Sequence, residues 1–297
     1  MLRIIADSTC DISKEDARKM GIQIVPISVR FGNEEFLDGV EITHEEFYTR
    51  LAECDELPKT SQPSPDTFMK VFNEAVADGD DVLGIFISSD LSGTYQSACL
   101  AASDVEDETG KKLYMVDSRS ASIGTALLIR EAVKLRDAGV NVSDIAAACT
   151  EMSKYIKLTA VVGSLKYLKM GGRLSGAAAF AGTMLHITPV VSIEDGKVVV
   201  IGKTRGKKAA EKLMHDKLTE DGLSLTRDFM FGHINCSESL ETFINKSLTY
   251  ISDVNGNVGV SSIGCSVGTH VGPGTYGIAY VEAAESGMNR ESIVKTA

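Results

Sequence analysis

Val82–Thr94 reads VLGIFISSDLSGT, and its grammar decides the fold. Val82 to Ile87 is an apolar run of strand length, bounded by a turn of Ser88, Ser89, Asp90, Ser92 and Gly93. A helix opens near Thr94, so the segment reads as buried strand, polar turn, helix. The same order recurs on both sides. Leu2 to Ala6 is a short buried strand ending in Asp7-Ser8-Thr9, and Leu113 to Val116 is another ending in Asp117-Ser118. Strands alternating with helices predict a mostly parallel sheet with helices on both faces.

Working outward, Ser13 caps a helix that runs to Met20 and stops at Gly21, and Ile22 to Val29 reads as one further strand. Thr43 with Glu46 forms a capping box, so a helix is expected over His44 to Glu53. Leu57 to Pro65 (LPKTSQPSP) holds three of the six prolines and reads as irregular. Helices are expected from Asp66 to Ala77, from Thr94, as a long amphipathic element to about Ala138, and from Ser143 to Tyr155.

The second half has a different pattern. Pro189–Ile193 and Val198–Lys203 flank Glu194-Asp195-Gly196-Lys197, a hairpin signal. Helices at Lys207–Leu218 and Ser237–Ser252 then alternate with strands at Phe229–His233, Val258–Ile263 and Gly277–Val281. The expected architecture is therefore α/β: an N-terminal domain over residues 1–158, and a C-terminal α+β domain over 159–297.

Composition limits the function. The 297 residues are 43% hydrophobic and 24% charged, as in ordinary globular proteins. Trp is absent and aromatics are only 6%, so an aliphatic core is expected. A formal net charge of -11 argues against a broad nucleic-acid surface or a stable membrane association. It also makes any local cluster of basic residues informative. Six scattered cysteines contain no C-x-x-C pair, and His44-Glu45-Glu46 lacks a second His four residues on. Reduced thiols and no metal or cofactor are expected. The N-terminus MLRIIADSTCD does not read as a signal peptide, and no apolar run reaches membrane-spanning length, so a cytoplasmic location is expected.

Ligands of open parallel sheets bind beyond the carboxyl ends of the strands. Ser92-Gly93-Thr94 offers hydroxyls and free N–H groups at a helix start, where an anion is favoured. Its plainer reading is a bare helix cap. Thr60-Ser61-Gln62-Pro63-Ser64 presents hydroxyls in a proline-stiffened loop that is otherwise a connector. Arg173 follows Gly171 and Gly172, which admit a close neighbour, and guanidinium suits a carboxylate or phosphate. The alternative is a surface Arg behind a helix end. His270 sits in the glycine-dense run Gly268–Gly274, as an anion donor or as a structural histidine. Lys203, Arg205, Lys207 and Lys208 form a basic island, either a solvated helix start or a docking surface.

Taken in order, IIADSTCDIS (Ile4–Ser13), TSQPS (Thr60–Ser64), ISSDLSGTYQSA (Ile87–Ala98), VDSRSASIG (Val116–Gly124), SLKYLKMGGRLS (Ser164–Ser175) and GTHVGPG (Gly268–Gly274) resemble the DegV family of bacterial fatty-acid-binding proteins. The resemblance spans nearly the whole chain. It implies a long-chain fatty acid whose carboxylate meets Thr60, Ser61, Ser92 and His270 with Arg173 nearby, and an acyl tail in an apolar tunnel. It also implies a non-catalytic carrier that presents the acid to a separate fatty acid kinase for acyl phosphate formation, with Arg205, Lys207 and Lys208 as candidate docking residues. Two departures, MGGR for the usual KGGR and Leu174 where many members carry Ile, touch no polar ligand group. The small-residue stretch Gly176–Leu185 is a candidate tunnel border or a helix-packing surface.

Three rivals stand beside this reading. Ser92, His270 and Asp117 offer the residue types of a serine acyl hydrolase, but no G-x-S-x-G elbow is present. Phosphoryl transfer lacks a G-x-x-x-x-G-K-[ST] loop. A pure interaction protein would carry no lipid.

Overall fold

The computed structural model describes residues 1–54, 56–176, 187–224, 226–251 and 256–283. Strands β1 (Leu2–Asp7), β2 (Ile22–Val25), β6 (Asp81–Phe86) and β7 (Leu113–Asp117) form an all-parallel sheet in the order β2-β1-β6-β7. Helices α3 (Pro65–Ala77) and α4 (Thr94–Thr109) pack on one face. Helices α1 (Lys14–Met20), α5 (Ile123–Asp137) and α6 (Val142–Met152) pack on the other. The alternation of β1 makes both faces apolar: Ile5 joins the α3–α4 core, while Ile4 and Ala6 join the α5–α6 core.

The second sheet is mixed. Strands β8 (Ile156–Val161), β9 (Thr188–Glu194), β10 (Lys197–Thr204), β11 (Phe229–His233), β12 (Val258–Ser262) and β13 (Tyr276–Val281) lie in the order β10-β9-β8-β13-β11-β12. All neighbours are antiparallel except β11 and β12. Helices α8 (Lys207–Asp221) and α9 (Ser237–Ser247) cover its outer face over Phe229, Phe231, Tyr276 and Tyr280. A third, small antiparallel sheet, β4-β3-β5, joins β3 (Ser28–Phe31), β4 (Glu34–Leu37) and β5 (Lys59–Ser61). Helices α2 (His44–Glu53) and α10 (Cys265–Val271) pack beside it, and α7 (Leu165–Met170) lies against α10. The expected capping box closes α2: Thr43 and Glu46 each bond the other's backbone.

Several sequence expectations change. The strand expected over Ile22–Val29 divides at Pro26, whose missing N–H and fixed φ end the ladder; β2 stays in the parallel sheet and β3 leaves for the small one. Inside the stretch expected to be irregular, Lys59–Ser61 forms β5, because β3 supplies a distant partner that no local pattern reveals. Helix α5 is not amphipathic. It is buried nearly all round because it lies between the parallel sheet and the inner face of the mixed sheet, touching β1, β6, β8, β11 and β13. The domain boundary expected at residue 158 falls inside β8, so the change of sheet precedes it. The aliphatic core is found around α5, whereas the α3–α4 and α8–α9 cores carry fully buried Phe and Tyr. Most of Gly176–Leu185, and Ser252 at the expected end of α9, lie outside the described residues. Among the described residues, no helix is long and apolar enough to cross a membrane.

Leu128 on α5 has no solvent exposure and packs in the central core. Leu128→Ala is expected to lower stability by about 2–5 kcal/mol in urea unfolding. Leu100→Ala, at a position 61% exposed on α4, is expected to stay within about 0.5 kcal/mol of the parent chain.

Candidate functional site

Where α5 begins, the two large sheets enclose a cavity. Ile87, Leu91, Ala121 and Ile123 line it from the first, and Leu158, Ala160, Val191 and Ile193 from the second. The empty volume is about 910 Å³ including the solvent at its mouth. The alternation of β8 explains the lining: Leu158 and Ala160 face the cavity, while Val161 faces the aromatic core under α8. The aliphatic side chains here carry no polar atoms, so the wall suits an apolar ligand.

Thr60, Ser92, Arg173 and His270 also line this cavity. The small sheet presents Thr60 on β5, and α10 presents His270; Thr60 Oγ1 and His270 Nε2 lie 2.9 Å apart. Thus His270 is not on the loop that its glycine-dense surroundings suggested, but in the last turn of a short helix. Its imidazole rests against Gly171, where an added Cβ would overlap Nδ1, so the expected close approach at that glycine is made by His270 itself. Arg173 reaches across the molecule: Nε donates to the Leu91 carbonyl at 3.1 Å and Nη1 to the Gly171 carbonyl at 2.7 Å. No acidic side chain pairs with it among the described residues. Ser92 Oγ lies 2.9 Å from Thr94 Oγ1 and accepts from the Thr94 N–H at 3.3 Å.

Burial, reinforced by the Arg173 charge, pushes the His270 imidazole down to about 4. Its Nδ1 is buried and has no hydrogen-bond partner among the described residues. The site near neutral pH is therefore one cation, one neutral imidazole and hydroxyls, facing a greasy cavity.

Ser61 is a correction. It neighbours Thr60 on β5, but successive side chains of a strand point to opposite faces; Ser61 is exposed and outside the cavity lining. The residues of the imagined hydrolase triad are not assembled either. His270 bonds Thr60, Ser92 bonds Thr94, and Asp117 accepts from the backbone N–H groups of Ser89 and Arg119. Sequence reading misses Ser122, Ser266 and Thr275, which add hydroxyls to the lining from separate segments, as does Thr9 in the hydroxyl turn after β1. The turn Asp7-Ser8-Thr9 has a structural role. Asp7 is buried, accepts from Thr9 N and Ile87 N at 2.9 Å each, and so ties the ends of β1 and β6 together. In the basic island, Arg205, Lys207 and Lys208 are exposed, and Lys207 Nζ donates to Ser239 Oγ at 2.9 Å.

The fold and this cavity define an α/β protein with a polar cluster at the edge of an apolar chamber. The DegV family model, described as an uncharacterised protein of the DegV family, matches residues 1–283, and the chain belongs to that family. It is 34% identical over 290 residues to a DegV domain-containing protein of Clostridium perfringens, covering 95% of this chain and 98% of the relative. A solved fatty-acid-binding DegV family protein from Thermus thermophilus superposes with a TM-score of 0.84 at 31% identity, covering 95% of this chain and all of the other. A stearic-acid-binding protein from Eubacterium ventriosum gives a TM-score of 0.84 at 29% identity, over 96% of this chain and 100% of that one.

The depressed His270 has a consequence for stability. Histidine ordinarily titrates near 6.5, so between that value and about 4 the unfolded chain takes up a proton that the folded chain refuses. Stability should therefore fall as pH drops through this window, with His215 and His233, also pushed down by burial, contributing in the same direction. In His270→Gln the loss of stability between about pH 7 and about pH 5 should be smaller than in the parent chain, measured by urea unfolding at each pH. An unchanged loss would show that His270 is not held neutral.

Proposed function

We propose that the chain is a carrier for a long-chain fatty acid, with the carboxylate at Thr60, Ser92, His270 and Arg173 and the acyl tail in the aliphatic cavity. The observation that carries this reading is a guanidinium with no acidic partner among the described residues and a hydroxyl–imidazole pair, at the edge of a chamber walled mostly by Val, Leu, Ile and Ala. The fatty-acid ligands of the Thermus and Eubacterium proteins support the same ligand class. A sixteen-carbon tail has about fifteen apolar carbons. At roughly 0.8 kcal/mol per buried CH₂, these contribute on the order of 12 kcal/mol before ordering costs. A hydrogen bond to the charged head adds only about 1.5–3 kcal/mol. The tail then dominates affinity, and the head contacts set which end enters first.

On this reading the protein is cytoplasmic and non-catalytic, and two domains, one around each large sheet, close on the acid. It presents the carboxylate to a separate kinase subunit for conversion to acyl phosphate. The exposed Arg205, Lys207 and Lys208, a local cluster of positive charge on an acidic protein, form the surface that receives this partner.

Mass spectrometry of lipid released from the purified chain should find about one long-chain fatty acid per protein. Arg173→Ala and His270→Ala should each reduce retained acid by about tenfold while leaving the melting temperature near that of the parent, and the exposed Ser61→Ala should retain it. Parent-level lipid in both cavity variants would remove the head-group assignment, and no lipid in the parent chain would remove the function. Reversing Arg205 and Lys208 to Glu should weaken kinase-subunit binding without altering lipid content; unchanged binding would free that surface of the role.

A further inference from the structure

A second chemical cluster lies at the start of α10, the end opposite His270. Asp38 follows β4, His44 opens α2 and Cys265 opens α10; their carboxylate, imidazole and thiol ligand atoms all lie within 4.8 Å of one another. Gly264 marks the space between them. A Cβ placed there would sit 3.0 Å from Asp11 Oδ1, 3.2 Å from His44 Nε2 and 3.5 Å from Asp38 Oδ1. The backbone of Gly264 is extended, with φ -78° and ψ -175°, a conformation open to any residue. A side chain here would press on these atoms, so the tightness at Gly264 concerns room and not backbone freedom, and the room is bordered by oxygen and nitrogen atoms.

Three buried carboxyl groups, those of Asp7, Asp11 and Asp38, gather at this corner. Among the described residues, no cationic side chain acts on Asp7 or Asp11. The hydrogen bonds they receive are neutral. Asp38 accepts from Cys265 N at 3.2 Å, Ser266 N at 3.1 Å and Ser8 Oγ at 3.1 Å, and Asp11 accepts from Gly264 N at 2.8 Å and from Ser122. A groove bordered by Asp11, Asp38, Thr43, His44 and Ser261 leads to the cluster from solvent.

We propose that Asp38, His44 and Cys265 form a binding site for one divalent transition-metal ion of the zinc type, with water from the groove completing the coordination. A carboxylate, an imidazole and a thiolate are a ligand set suited to zinc, and three protein ligands with an open fourth position is a common arrangement. Tetrahedral bonds of about 2.0–2.3 Å place ligand atoms about 3.5 Å apart. Closing the present cluster to that spacing calls on the half-buried His44 ring, which makes no hydrogen bond to a described residue. On binding, the Cys265 thiol loses its proton to solvent and the sulfur pair forms the metal bond, while His44 binds as neutral imidazole and Asp38 as carboxylate. Asp11 then acts as a neighbouring anion rather than a ligand.

The test is a titration of the reduced, untagged full-length chain with Zn²⁺ alone, in competition with a chromogenic chelator. The expected result is one equivalent bound, weakened by about tenfold or more in His44→Ala and in Cys265→Ser. With Co²⁺ in place of Zn²⁺, the parent should show a thiolate-to-cobalt charge-transfer band that Cys265→Ser lacks. His44→Ala removes no hydrogen bond to a described residue, so it separates loss of the site from loss of the fold. Substoichiometric binding by the parent, or parent-level affinity in His44→Ala, would overturn the site.

Discussion

The first three turns of helix α5, residues 123–133, have almost no solvent face, and much of the molecule is arranged by that fact. A helix stretch that is apolar over most of its circumference must be covered on more than one side. One side is covered by the parallel sheet through Ile4, Ala6, Leu83 and Ile85, and the other by the mixed sheet through Met230, Ala279 and Val281. The two sheets are thereby held a helix diameter apart. Where α5 begins, at Ser122 and Ile123, the helix stops filling the slot but the sheets continue, and the cavity occupies the remaining space. The chamber is a consequence of a spacer that ends before the layers it separates.

The walls of that chamber follow from side-chain size on alternate strand positions. On β8 and β13, Ala160 and Gly277 face the cavity, while Tyr276 and Tyr280 point outward under α8 and α9. Large rings on the inner face would fill the space. The low aromatic content is thus concentrated away from the cavity, and aliphatic groups line it.

Polar groups enter only at the places where segments from both sides meet. Arg173 bonds carbonyls of Leu91 and Gly171, so its guanidinium is fixed by both parts of the chain. The other polar corner, at the start of α10, is knitted by Asp11 and Asp38 to the backbone of Gly264, Cys265 and Ser266. Through those bonds the N-terminal segments orient the helix that carries His270. Such buried networks specify a unique arrangement when all members are satisfied.

Local patterns determined much of this protein. Apolar runs with hydroxyl turns marked β1, β6 and β7, the Thr43–Glu46 pair marked α2, and Glu194–Lys197 marked the β9–β10 turn, because propensity, capping and turn chemistry act over a few residues. Thr60, Ser92, Arg173 and His270 were legible as chemically able residues in unusual surroundings. Only the tertiary structure decided that Thr60 faces inward and Ser61 outward, that β5 exists at all, that His270 rides on a helix, and that α5 is buried on both sides. Each of these depends on a partner far away in the chain: β3 for β5, Gly171 for His270, and a second sheet for α5. The same holds for Asp38, His44 and Cys265, whose separation in sequence hides a proximity that only the packing of α2 and α10 creates.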